Sequence, residues 1–484
     1  MRSFHVCIGT CLAIFLMIAP CRAQDGPTHE EAAQALRKAV AFFREHVSTE
    51  GGYLWRYSAD LSKREGEGVA GPRTAWVQPP GTPAVGEAYL FAHSMTHDAF
   101  YLDAAKETGY ALLKGQLQSG GWDYRIEFDP EKRVKYAYRA DQRTDGEKTT
   151  TLDDNTTQSA LQFLMRLDRA LNFEDQSIHE AAGFGLYALV KAQYPNGAWP
   201  QRYRDFPNED EYPVKKASYP ASWSRTYVKH GYSEYYTLND NTLSDCIETM
   251  LLAADIYGET QHASAAAEGG DFLLLAQMPD PQPAWAQQYD MDMHPAWARK
   301  FEPPAITGGE SQGAIRMLIH LAARTGEARY LEPIPRALAY LKSSLRPDGK
   351  LARFYELQTN RPLYFTKDYQ LTYSDEDMPT HYSFVVLSNI DALEHAYQDA
   401  IKGISGPARD SEAQAEQPAI LASRAREAID LLDERGAWVE AGTLRYHEGD
   451  DTRKIIDCTT FGRRVRALAA FLALPREVQH PPAP

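Results

Sequence analysis

Two stretches of this chain are near-copies, and both are rich in groups that hold cations. "TLDDNTTQSALQFL" begins at Thr151 and "TLNDNTLSDCIETMLLA" at Thr237. Each sets acidic and amide side chains just ahead of an apolar run with helical spacing. The candidate ligands are Asp153, Asp154 and Asp240. An Asp before a helix is also a favoured N-cap, contributing about 1 kcal/mol. Capping explains one acid per turn better than it explains adjacent carboxylates and amides in both. Hard oxygen donors of this kind suit Ca²⁺ if the two turns meet in space. A second signal is basic. "HPAWARKFEPP" (294–304) and "LARFYELQTNRPLYFTKD" (351–368) supply Arg299, Lys300, Arg353, Arg361 and Lys367. Any one of them alone reads as solvated surface charge. Clustered beside aromatics they suit carboxylates, which the guanidinium fork grips with two hydrogen bonds.

The elements that must position these groups form a repeat. Loops combining Gly or Pro with an aromatic recur at Gly51, Gly120, Asn196, Asp280, Asp348 and Arg435, roughly 70 to 87 residues apart, which is larger than a common solenoid unit. Helical periodicity covers 30–46, 156–171, 177–193, 241–257, 262–276, 311–325 and 329–344, and more weakly 86–98, 100–118, 383–400, 420–434 and 461–474. The pattern is two helices per unit, with a short turn inside each pair and a long loop after it. The first helix lacks a partner unless it pairs with 461–474. An all-α fold follows: an α/α barrel, or toroid, of about six helical hairpins, closed by pairing of the N- and C-terminal helices. The six first-helix starts (81–86, 151–157, 237–242, 305–311, 378–383 and 456–461) then share one rim, where helix N-termini gather polar groups around a cleft.

Bulk properties narrow the function. The 484 residues carry a formal charge of −15, which argues against nucleic acid as a partner. Residues 1–23 have the three-part pattern of a secretory signal peptide: Arg2, an apolar stretch from Val6 to Ala19, then Cys21-Arg22-Ala23. Its removal takes Arg2 and Arg22 and brings the charge to −17. The expectation is an exported protein (periplasmic or extracellular), not held by a membrane after cleavage, and a monomer. The domain expected is a single catalytic barrel over 24–478, with a surface insertion at 403–419 and a disordered tail at 479–484. Of five cysteines, Cys246 and Cys458 would remain, too few for a disulfide framework and without a CxxC zinc pattern.

The blocks "YPNGAWPQ", "TLNDN", "ARKFEPPAITGGES" and "LARFYELQTNRPLYF" resemble polysaccharide lyase family 10, the pectic acid lyases. The similarity runs over about 100–370, with the blocks in the family's order. It implies an α/α barrel that cleaves polygalacturonate (pectate) by Ca²⁺-dependent β-elimination. It also implies metal ligation by Asp153 and Asp240, Arg299 as the base, and substrate contacts from Asp154, Arg353 and Lys367; Arg361 joins these from the basic cluster. This chain departs from the family in five places. Asp154 stands where the family has Asn, "ARKFE" stands for "ARSYE", and "NGAW" stands for "NGGW". Residues 204–232 are an insertion. "TYSDEDMPTHYSF" replaces an aromatic segment.

The chemistry implied removes the C5 proton of a 4-linked uronide, alpha to its carboxylate. Neutralising that carboxylate lowers the barrier. Arg299 can take a proton only if a crowded cationic site lowers its pKa or the medium is alkaline, so an alkaline optimum is expected. Trp199, Tyr203 and Tyr236 are candidates for a sugar track, with loop packing as the alternative. Rival readings are a lyase on another polyuronide, a glycosidase using Asp153, Asp240 and Glu310, an esterase from Gly309-Glu310-Ser311-Gln312-Gly313, and a sugar-binding protein without turnover.

Overall fold

The computed structural model describes residues 26–403 and 417–475. The signal-peptide segment, residues 404–416 of the expected insertion and the 479–484 tail lie outside the described residues. Among the described residues thirteen helices follow one another: α1 (His29–Phe42), α2 (Thr82–Thr96), α3 (Ala99–Gly115), a single-turn α4 (Pro130–Arg133), α5 (Thr156–Ala170), α6 (Gln176–Lys191), α7 (Thr242–Tyr257), α8 (Thr260–Ala276), α9 (Gly308–Thr325), α10 (Ile334–Ser343), α11 (Ile390–Ile401), α12 (Pro418–Asp430) and α13 (Cys458–Leu472).

These form the α/α barrel. The inner helices are α2, α5, α7, α9, α11 and α13. Packing runs from α11 through α9, α7, α5 and α2 to α13, with an outer helix laid against each hairpin. The N-terminal helix α1 is the outer partner of α13. Its buried residues Ala32, Ala35, Leu36, Ala39 and Val40 fall at i, i+3, i+4, i+7 and i+8, one continuous apolar stripe. Thr28 and Glu31 cap it reciprocally. Phe43 stacks on Phe461 with ring centroids 3.5 Å apart. The strand Arg56–Ser58 pairs antiparallel with Lys454–Asp457, so the two ends of the chain close the ring.

The recurring Gly/Trp loops are structural clasps. The indoles of Trp122, Trp199, Trp285 and Trp438 donate to the carbonyls of Leu112, Leu189, Leu273 and Ala428 at 2.8–2.9 Å. Each acceptor is one of the last four carbonyls of the preceding outer helix, the ones that lack an intrahelical partner. Gly120 and Gly197 have φ of +100 and +89°, and a Cβ there would collide with Ala188 and with the Glu268 carbonyl of the next unit. A hydroxyl on the first turn of the following inner helix fixes the loop. Thr82, Thr157 and Ser311 each accept from the backbone N–H, and donate to the carbonyl, of Tyr53, Trp122 and Trp285.

Ser311 is fully buried in this clasp, so the GxSxG match is no nucleophile elbow and the rival esterase reading falls. One expectation is corrected. The fifth inner helix starts at Ile390 rather than near 383, because Val385–Val386 pairs as a strand with Leu351–Ala352.

Candidate active site

The two near-copies adopt one backbone. Single turns at Asp153–Asn155 and Asn239–Asn241 precede α5 and α7. Asp154 (φ 52°, ψ 34°) matches Asp240 (φ 48°, ψ 33°), and Asn155 (φ 56°) matches Asn241 (φ 61°). Two successive left-handed residues suit Asp and Asn, the non-glycine types that tolerate this region best. None of these side chains caps its helix. The turns swing the carboxylates toward each other over the rim instead. One oxygen from each of Asp153, Asp154 and Asp240 falls within 4.8 Å of the others.

Each acid turn hangs from the next loop. The Leu152 amide donates to the Gln201 carbonyl at 2.9 Å, and the Leu238 and Asn239 amides donate to the Gln287 carbonyl at 2.9 and 3.0 Å. Thr151 pairs with Arg202, and Thr237 with Gln288. Gln287 also links the second turn to the basic group. Its side chain donates to Glu302 Oε1 at 2.7 Å, and Glu302 grips Arg299 through Nε at 2.8 Å and Nη2 at 2.5 Å. Arg299 Nη2 then lies 4.0 Å from Asp240. Arg353 arrives from another direction. The strand Ala305–Thr307 pairs with Phe354–Glu356, which sets Arg353 3.4 Å from the buried Glu310.

Burial and mutual repulsion raise the acids. The Asp240 carboxyl is pushed up to about 7, by burial first and then by Asp153 and Asp154. Asp154 is pushed up to about 6 by burial and Asp153, and Asp153 is raised by burial. The Asp240 side chain is 39 % exposed, so water screens part of this repulsion. Three buried oxygens here, Asp153 Oδ1, Asn155 Oδ1 and Asn239 Oδ1, have no hydrogen-bond partner. Crowded carboxylates with orphaned hard oxygens fit a divalent cation such as Ca²⁺.

Around Arg299 the expectation of a cationic environment fails. Burial works to lower its pKa, but the hydrogen bonds and charge of Glu302 outweigh burial and raise it. The guanidinium is therefore held protonated. Trp199 is also corrected: it is fully buried as a loop clasp and cannot face a sugar. Tyr203 and Tyr236 are buried likewise. Arg361 stacks on Tyr373 at 3.4 Å and Lys367 pairs with Asp377 at 2.9 Å. Among the described residues neither pairs with the acid cluster.

Several site groups escaped sequence reasoning. Tyr124 hydroxyl lies 3.1 and 3.3 Å from Asp153 and Asp154, able to donate to either, and Arg202 donates to it. Gln78 donates to Asp154 at 3.0 Å. Tyr382 donates to Glu302 at 3.0 Å and lies under Arg299 and Arg353, 5.5 and 4.7 Å from its ring centroid. It sits in the segment that departs from the family pattern and restores an aromatic there. Tyr124 and Arg202 stand beside the recurring Trp, in "GGWDY" and "NGAWPQRY", which is the signal that marks them. The 204–232 insertion docks on the basic loop: Trp297 Nε1 donates to the Ser224 carbonyl at 2.8 Å, and His230 Nε2 lies 3.0 Å from the Trp297 carbonyl.

Residues 116–346 match the pectic acid lyase family. No curated protein matches the chain. Among solved structures, a family 10 polysaccharide lyase from Cellvibrio cellulosa, a variant in complex with trigalacturonic acid, is 20 % identical with a TM-score of 0.44, over 66 % of this chain and 98 % of its own. A cellobiose 2-epimerase from Bacillus thermoamylovorans is 12 % identical with a TM-score of 0.45, over 92 % and 98 %. The segment that matches the pectic acid lyase family, residues 116–346, holds the three acids and the Arg299–Glu302 pair.

Proposed function

We propose that this protein is a secreted lyase that cleaves polygalacturonate by Ca²⁺-dependent β-elimination, leaving unsaturated oligouronides. The family match over 116–346 supports a polysaccharide lyase. The observation that carries the reading further is the meeting of three carboxylates within 4.8 Å, with Arg299 4.0 Å from Asp240. Asp153, Asp154 and Asp240 would hold Ca²⁺, which when bound neutralises the uronate carboxylate and acidifies the C5 proton. Arg299, clamped by Glu302, faces the charge that builds on the carboxylate as that proton leaves. Taking the proton itself requires alkaline conditions, because its partners hold the guanidinium charged. Arg353, stacked on Tyr382, is aimed to grip a neighbouring carboxylate with its fork. Export rests on the signal-peptide pattern of residues 1–23.

The test is the ultraviolet absorbance of the C4–C5 double bond on incubation with polygalacturonate, alginate and glucuronan, with and without a chelator. Absorbance with polygalacturonate that the chelator abolishes is the expected result. New reducing ends without absorbance would replace the lyase with a hydrolase. Absorbance with alginate or glucuronan alone would keep the lyase and change the polymer.

A further inference from the structure

Beside the acid cluster, on the inner face of the barrel, a cavity of about 330 Å³ lies between α2, α5 and α13. Its lining includes Pro79 and Pro80, directly after the Gln78 that donates to Asp154. Its α5 wall is Ser159, Gln162 and Arg166, one helical face leading away from the acid turn; at 1.5 Å per residue Arg166 lies about 18 Å from Asp154 along the axis. Its α13 wall carries Arg463 and Arg466.

The charges in this cavity do not balance. Arg166 pairs with Glu87 at 2.7 Å, which uses the carboxylate that α2 supplies. Arg463 donates only a long hydrogen bond, 3.4 Å, to the Thr460 hydroxyl. Arg466 lies over the Phe91 ring at 5.0 Å. Among the described residues neither has a carboxylate within 4.0 Å. Burial lowers the Arg466 pKa, Glu87 opposing and the like charge of Arg166 adding to the fall. Both side chains are open to solvent, and two guanidinium groups without an ion-pair partner on one cavity wall stand out in a chain of charge −15. They are what a carboxylate-bearing ligand needs. Residues 458–466 lie on α13, outside the matched family segment.

We propose that Arg463 and Arg466 form a distal subsite that binds a uronate carboxylate several sugars away from the acid cluster, making the protein select long oligouronides. The proposal rests on the lyase reading for its ligand class. A charge-assisted hydrogen bond contributes roughly 1.5–3 kcal/mol, which corresponds to about a tenfold to hundredfold change in affinity.

The experiment compares wild type with Arg463→Ala/Arg466→Ala, and with the gentler Arg463→Gln. Calorimetric affinity for hexagalacturonate and trigalacturonate is measured in chelator, and KM for both is measured with Ca²⁺; thermal melting verifies the fold. A loss of about tenfold or more in hexamer affinity and KM in the double variant, with the trimer unchanged, supports the subsite. Equal length dependence in wild type and variants, with elimination intact, overturns the subsite and leaves the lyase standing. Arginine-dependent hexamer binding without any unsaturated product keeps the subsite and overturns the lyase. A wild type that neither binds nor cleaves overturns both.

Discussion

Asp154 and Asp240 share one left-handed backbone conformation on equivalent turns of successive hairpins, and their carboxylates converge within 4.8 Å. A duplicated sequence thus becomes one cluster of three carboxylates, supplied by two different inner helix starts.

Cation affinity should fall with acidity. Binding needs ionised carboxylates, and Asp240 and Asp154 titrate near 7 and 6 before a cation is added. Calorimetric titration with Ca²⁺ is expected to show tight binding at pH 8, with protons released, and much weaker binding near pH 5.5. Equal affinity at both values would remove these acids from the site.

The same acids make the cation-free fold pH-sensitive. Their folded pKa values lie above the unfolded value of about 3.9, so the fold favours their protonated forms. The stability this contributes is present below about pH 4 and is lost as pH rises through 6 to 7. Without Ca²⁺ at pH 8, Asp240→Asn should therefore melt higher than wild type, and added Ca²⁺ should reverse the order. Melting curves at pH 5 and 8 with and without the ion check this.

Arg299→Ala is expected to cost about a thousandfold in kcat, as loss of a preorganised charge at a reacting carboxylate does. Glu302→Gln separates the two roles of Arg299. Removing the carboxylate that raises the Arg299 pKa should move an alkaline limb of the kcat profile to lower pH if the guanidinium gives up its proton. An unmoved limb assigns it charge stabilisation alone.

Trp199→Phe tests the loop clasp. It deletes the hydrogen bond to the Leu189 carbonyl, about 1 kcal/mol or more when the acceptor is buried, and should lower the melting temperature. KM for polygalacturonate should not change in the folded variant. A raised KM with unchanged melting would restore Trp199 to the sugar path.

How far the chain could be read before folding depended on the range of each signal. The stripe Ala32–Leu36–Val40 and its counterparts on the inner helices are local, since a periodicity of 3.6 announces a buried face wherever it occurs. The six units, the ring closure through α1 and α13, and the doubled acidic turn were legible for that reason. So was the meeting of Asp153, Asp154 and Asp240, because equivalent points of a repeat return to one rim; Arg299 and Arg353 were assigned to the same site only through the family resemblance. Orientation was not legible. Trp199 and Ser311 belong to motifs with functional connotations, yet the neighbouring unit buries them. Arg361 and Lys367 sit within a few residues of Arg353 in sequence, yet the hairpin after Phe354 carries them to Tyr373 and Asp377. Glu302 follows Arg299 by three residues, yet only the folded loop turns it back to hold the guanidinium protonated, and Tyr382 meets Glu302 across 80 residues of chain. Electrostatic environment depends on which groups lie within a few ångströms in space, and packing between repeats alone decides that.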